Sequence, residues 1–163
     1  MRRFLSVVIL YCLLLCGCSV LGERIKEPVT FYYLRSAYTF FAENGVFVPE
    51  EREASGHRDD LGYLLKLYLM GPADDELASP LPRGTRITGV ERTDSAITIQ
   101  LSDNTLGMSD VDFSLAAGCL SLTCFDITQT DSVTVTCAER SVTMTRDNLI
   151  LYDSNSSTME ETK

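Results

Sequence analysis

The side chains that could serve as a base, a nucleophile or a metal ligand are few. His57 is the only histidine among 163 residues, and it lies between Gly56 and Arg58 in a polar stretch. A Ser-His-Asp or Cys-His site would therefore have a single base available. We interpret His57 as a solvated loop residue and expect the protein not to be an enzyme.

The residues that could bind a metal are also poorly spaced along the sequence. A zinc site would have to combine His57 with Cys119, Cys124 and Cys137, which show no C-x-x-C spacing. The acidic run at 74–76 lacks the alternating ligands and the glycine of an EF-hand loop. The sequence therefore predicts no metal and no cofactor. Its many carboxylates leave a paired acid and base open, although these acids lie at expected helix ends and turns.

The amino terminus has the features of a lipoprotein signal. Arginines precede an apolar run from Phe4 to Leu15, which is shorter than the roughly 20 residues that span a bilayer and suits a signal peptide. The run ends in Leu15-Cys16-Gly17-Cys18, which resembles the bacterial lipobox. We expect residues 1–17 to be cleaved and Cys18 to carry the lipid. An ordinary cleaved signal, or an uncleaved anchor, is the alternative.

The charge of the chain restricts its partners. A formal net charge of −9 argues against nucleic acid and against electrostatic binding to anionic lipid. Acyl chains on Cys18 would anchor the protein without basic residues, since each buried methylene contributes about 0.8 kcal/mol. Residues 18–27 would then be a short tether. We expect the protein on the extracytoplasmic side of the cell membrane.

A strong local pattern marks the first helix and the turns that follow it. We predict a helix at about 59–70, and its apolar stripe consists of Leu61, Leu64, Leu65 and Tyr68. Gly71 can take a left-handed conformation after the last turn, and Pro72 cannot continue the helix. Pro82 and Gly84 then form a turn before the next strand.

The remaining pattern predicts an α+β fold. Strands are predicted at 28–35, 86–92, 96–101, 132–137, 141–145 and 148–152, with a bulge at Gly89. A second helix begins at Ser109 and fades near Thr123, and its apolar stripe begins at Val111. The order β-α-β-β-α-β with a terminal hairpin predicts a small two-layer sandwich, with both helices on one face of one sheet. The domain covers residues 28–153, and a disordered tail covers 154–163.

Two of the cysteines are expected to lie near each other. We take the connection between the second helix and the next strand to lie near Thr130, and count about 1.5 Å per helix residue and about 3.3 Å per strand residue. The distance from this connection to Cys137 is then matched better by Cys119 than by Cys124. Outside the cytoplasm this pair could form a disulfide or remain two reduced core thiols.

The stretch from Asp60 to Thr85 also resembles a known family. Its helix, the pair Gly71-Pro72, a spacer and the run Ser79-Pro-Leu-Pro-Arg-Gly-Thr85 are similar to the GerMN domain, named after a bacterial sporulation and germination lipoprotein. The resemblance covers residues 28–153. It implies an α-on-β plan like that of ring-building motifs in sporulation secretion assemblies. The namesake has two such domains in tandem, and this chain has room for one.

Two functions are open. The first is a lipid-anchored module that acts through protein contacts in sporulation, germination or the cell envelope, for which exposed strand residues are candidates: Thr98, Gln100, Thr134 and Thr136. The second is a lipoprotein that binds a sugar or a cell-wall fragment under an aromatic lid at residues 38–47. The lid aromatics, Tyr38, Phe40, Phe41 and Phe47, would line a pocket in the second case and pack into the core in the first.

Overall fold

The computed structural model describes residues 28–36 and 45–149. Their elements are β1 (Pro28–Arg35), β2 (Phe47–Glu53), α1 (Leu61–Leu69), β3 (Leu77–Ala78), β4 (Ile87–Arg92), β5 (Ala96–Leu101), a 3-10 turn (Asp103–Thr105), α2 (Asp110–Ile127), β6 (Ser132–Cys137) and β7 (Arg140–Thr145). The predicted signal peptide, tether and tail lie outside the described residues, as do Tyr38, Phe40 and Phe41.

The described strands form two sheets. One has the order β2-β1-β3 and the other the order β4-β5-β6-β7, whereas the pattern suggested a single sheet. The helix α2 contacts β1 of the first sheet and both β6 and β7 of the second. The predicted class, a small α+β sandwich, is confirmed, and its strands are divided between two sheets.

The division follows from how one edge of β1 is closed. The backbone N–H of Tyr32 donates to Thr123 Oγ1 at 3.0 Å, and that of Thr30 donates to Asp126 Oδ2 at 3.2 Å. Both acceptors belong to α2, so these N–H groups have partners without a neighbouring strand. Only the end of β1 pairs on this edge, where it meets the two-residue strand β3.

The strand β2 extends beyond Val48 to Glu53. It contains Pro49 and a run of charges, which hide the strand pattern. Tyr32 is opposite Pro49 in the register, and its N–H points to α2. The pair is therefore not hydrogen-bonded, and the missing N–H of Pro49 faces the outer edge, where it removes no ladder bond.

The helix α1 begins and ends within two residues of the prediction. The side chain of Asp60 accepts from the N–H of Tyr63 at 2.9 Å, which caps the first turn. The buried residues are the predicted stripe, Leu61, Leu64, Leu65 and Tyr68. After the last turn Gly71 has φ +87°, and its N–H donates to the carbonyl of Tyr68 at 3.0 Å. Pro72 follows directly.

The helix α2 is longer and more buried than expected. Ser109 caps it by accepting from the N–H of Asp112 at 3.1 Å, and it ends at Ile127 and not near Thr123. Every residue at 116–125 is buried, which covers all sides of the helix. Because two sheets pack against it, no single stripe describes it. The predicted stripe was wrong at Val111, which is 53% exposed.

The four-stranded sheet is built around a parallel pair. β5 and β6 are parallel and are joined through α2, while β4 and β7 flank them antiparallel. The predicted bulge is present between Ile87 and Gly89. Asn148 was expected in a last strand. Instead its Oδ1 accepts from the N–H of Thr145 at 2.8 Å and forms a turn after β7.

Candidate functional site

The four candidate strand residues lie together on the outer face of the four-stranded sheet. The parallel register places Thr98 beside Thr134 and Gln100 beside Thr136. Their strand neighbours Ile97, Ile99, Val133 and Val135 are fully buried on the other face. Strand alternation therefore separates an apolar inner face from a polar outer face.

We call this outer face the hydroxyl face. It consists of Ala96, Thr98 and Gln100 of β5, Ser132, Thr134 and Thr136 of β6, and Ser141, Thr143 and Thr145 of β7. The hydroxyls of Thr134 and Thr143 lie 2.9 Å apart. In the strands β4, β5, β6 and β7, Glu91 is the one charged residue that shares this face. In a chain with a net charge of −9, this face is a nearly neutral set of hydrogen-bonding groups.

A polar hollow opens at one end of the hydroxyl face, where β4 begins and β5 ends. We call it the end hollow. It has a volume of about 510 Å³ and is lined by Gly84, Arg86, Thr88, Gln100, Leu101, Ser102, Asp103, Asn104 and Ala138. Gln100 belongs to both the hollow and the hydroxyl face. Sequence patterns alone did not reveal this site, because its residues come from the start of β4, the end of β5 and the turn at Ala138, which lie apart in the sequence.

The predicted turns build one wall of this hollow. Gly84 has φ +83°, and the N–H of Thr85 donates to the carbonyl of Pro82 at 3.1 Å. This is the arrangement of a turn that requires glycine at its third position. The turn leads Arg86 into place at the start of β4.

The predicted turn at Gly71 and Pro72 is held by a charged pair of β2 that the sequence did not reveal. Glu50 Oε1 accepts from the N–H groups of Ala73 and Asp74 at 2.8 and 2.9 Å. Arg52 binds Glu50 at 3.2 Å and donates to the carbonyl of Gly71 at 3.2 Å. The loop after α1 is therefore fixed to β2 by two side chains of an edge strand. Arg52 and Glu50 have a structural role here.

The three described cysteines are free and buried. Burial raises the pKa of the Cys119 thiol, and it raises the pKa of Cys124 to about 12. Thiols with such a pKa are poor nucleophiles. Cys137 Sγ lies 3.6 Å from the carbonyl oxygen of Ser102. The expected closeness of Cys119 and Cys137 stays a prediction.

Two tyrosines occupy the core beside these thiols. The rings of Tyr33 and Tyr68 stack with centroids 4.9 Å apart. Tyr33 donates to the carbonyl of Tyr68 at 3.1 Å, and Tyr68 donates to the carbonyl of Tyr32 at 3.2 Å. Burial raises the pKa of both phenols. These tyrosines therefore join α1 to β1 as neutral hydrogen-bond donors.

The other residues considered for chemistry, His57 and the acidic run at 74–76, make contacts of a structural kind. His57 is exposed, and its ring stacks on Tyr63 at 4.2 Å between centroids. Asp74 Oδ1 accepts from the N–H of Glu76 at 2.8 Å, which closes a turn within the acidic run. Across residues 28–36 and 45–149, no group of three or more His, Cys, Asp or Glu residues could hold a metal ion.

Phe47 is the one of the four predicted lid aromatics that lies among the described residues. It is partly buried and packs against the core. Its ring lies on Gly118 of α2, where an added Cβ would be 2.7 Å from Phe47 Cζ. For this residue the outcome is core packing, which does not support an aromatic lid.

The predicted membrane attachment point, Cys18, lies outside the described residues. None of the helices in the described part of the chain has the length and apolarity needed to cross a bilayer.

A family model agrees with the resemblance seen in the sequence. The model of the Germane family, described as sporulation and spore germination, matches residues 30–142. No curated protein matches the chain.

Two solved structures are similar to it. The tandem GerMN domains of the sporulation protein GerM from Bacillus subtilis have 19% identity and a TM-score of 0.49, covering 74% of this chain and 42% of that one. A provisionally named lipoprotein from Clostridium perfringens has 16% identity and a TM-score of 0.46, covering 74% of this chain and 89% of that one. This chain thus spans 42% of the GerM structure. The family match covers most of the domain, and the chain belongs to the Germane family of sporulation and spore germination, with a GerMN-type domain.

Proposed function

We propose that this chain is a lipid-anchored, extracytoplasmic GerMN-type protein without enzyme activity, which acts through protein contacts in sporulation, germination or the cell envelope. The observation that carries this proposal is the hydroxyl face. It presents an ordered, nearly uncharged surface in a strongly acidic protein.

A surface of this kind suits a protein partner better than a small ligand. The cores of protein interfaces are depleted of charged residues relative to the rest of the surface. Three adjacent strands supply the hydroxyl face, so it is extended. Its hydroxyls can donate and accept without the desolvation cost of ionised groups.

The proposed anchor restricts where this partner can lie. Residues 18–27 would connect Cys18 to β1, and an extended chain reaches at most about 3.3–3.6 Å per residue. The domain would therefore lie within roughly 35 Å of the lipid surface. We propose that the partner is itself held at the membrane or reaches close to it.

The test places a charge on the hydroxyl face. Thr143 is exposed, so Thr143→Arg should preserve the fold and weaken a contact that excludes charge. In cells that lack the native gene, this variant should restore sporulation, germination or envelope integrity less well than the wild type. The measurement is complementation at equal amounts of membrane-bound protein.

Gln129→Arg is the matched control, because Gln129 is exposed in the loop between α2 and β6 and lies off the hydroxyl face. It adds the same charge elsewhere and should complement fully. Equal complementation by both variants would reject the hydroxyl face as the contact surface.

A further inference from the structure

The end hollow contains two opposite charges that do not neutralise each other. Arg86 and Asp103 both line it, and among the described residues neither forms an ion pair within the usual 4 Å distance. Both side chains are exposed. A guanidinium and a carboxylate that share a hollow without pairing present complementary groups to a ligand with both charges.

The neutral polar groups near these two charges bond to one another. Ser102 Oγ accepts from the N–H of Arg86 at 2.9 Å. The amide of Asn104 lies 2.6 Å from Ser102 Oγ and 3.2 Å from Thr85 Oγ1. These bonds fix the backbone on both sides of the hollow, so a ligand would find the charged side chains on a preformed base.

Gln100 supplies a further polar group at the rim. Its side chain lies over Gly89, where an added Cβ would be 3.1 Å from Gln100 Oε1. Thr88 Oγ1 donates to the Gln100 carbonyl at 3.2 Å. The bulge at Gly89 therefore makes room for an amide that can pair with a peptide group.

An apolar groove adjoins the hollow. The groove has a volume of about 380 Å³, lies between α1 and β4, and shares Arg86 and Thr88 with the end hollow. Its apolar lining is formed by Leu65, Leu69, Ile87 and Val90. Arg86 is thus placed between a polar compartment and an apolar one, both within the usual size of ligand sites.

We propose that the end hollow and this groove bind a short free peptide with an apolar carboxyl-terminal residue. Arg86 holds the terminal carboxylate through paired N–H donors, and the last side chain enters the groove. Gln100 pairs with the peptide backbone, and Asp103 accepts from the terminal ammonium group. This site adjoins the hydroxyl face at Gln100, which the two share, and is proposed in addition to the protein contact there.

The test is a calorimetric titration of the full-length protein in detergent with the peptide Gly-Gly-Leu. Arg86→Gln should weaken binding at least tenfold. Amidation of the peptide's carboxyl terminus should cause a similar loss with the wild-type protein, and no further loss with Arg86→Gln. Asp103→Asn should remove the preference for Gly-Gly-Leu over its N-acetylated form.

The controls are Arg92→Gln and Asp94→Asn, which change the same residue types at the opposite end of the β4–β5 hairpin. Both should bind like the wild type. The amidated peptide tests the Arg86 contact even if the variant folds poorly. The proposal is overturned if the wild type shows no binding at about 10 mM peptide, where a Kd of 1 mM would be nearly saturated. It is also overturned if Arg86→Gln and Arg92→Gln bind equally.

Discussion

At the scale of single residues, the contact between Gly118 and Phe47 reverses an ordinary rule. Replacing glycine by alanine inside a helix usually stabilises a protein by about 1 kcal/mol. Here the new Cβ would lie 2.7 Å from the Phe47 ring, and such overpacking costs about 1–3 kcal/mol. We expect Gly118→Ala to lower the free energy of unfolding by about 1 kcal/mol, measured by urea denaturation.

The control for this substitution removes the ring. In a Phe47→Leu background, Gly118→Ala should instead raise the free energy of unfolding, because the helix propensity term remains and the clash does not. Destabilisation of the same size in both backgrounds would show that the Phe47 ring is not the cause.

At the scale of elements, the closed edge of β1 is the feature most open to test. Thr123→Val keeps the shape of the side chain and removes the acceptor for the Tyr32 N–H. An unpaired, partly buried donor costs about 1–3 kcal/mol. We expect a loss of stability in that range and faster hydrogen exchange at the Tyr32 amide.

Thr143→Val provides the comparison, because its hydroxyl is exposed and pairs with another threonine. It should change stability by less than about 0.5 kcal/mol. If the two variants were equally stable, α2 would not be closing the edge of β1 through Thr123.

The same edge shows which elements the sequence can predict. α1 and β5 follow from local signals, namely the stripe of Leu61 and Tyr68, the cap at Asp60 and the alternation from Ile97 to Leu101. The split into two sheets depends on bonds between residues 91 and 96 positions apart. The strand β2 has charges and a proline where a periodic pattern would be expected. The end hollow is assembled from three segments, at residues 84–88, 100–104 and 138, so no single stretch of sequence indicates it.

At the scale of the whole molecule, the membrane position that we propose for the domain depends on Cys18. We expect Cys18→Ala to shift the protein from the detergent phase to the aqueous phase in detergent partitioning, because acyl chains would no longer be attached. Cys16→Ala is the matched control and should stay in the detergent phase. Detergent-phase partitioning of a cleaved Cys18→Ala protein would contradict lipidation at this residue.

The closed edge of β1 also determines when the domain can finish folding. β1 is made early, and its bonds to Thr123 and Asp126 span 91 and 96 residues. At a synthesis rate of about 5–20 residues per second, these partners appear roughly 5–20 seconds later. Until then the first strand has an open edge and the core tyrosine Tyr33 lacks the cover of α2. Long-range closure of this kind slows folding, so we expect the emerging chain to complete its fold only after α2 has been made.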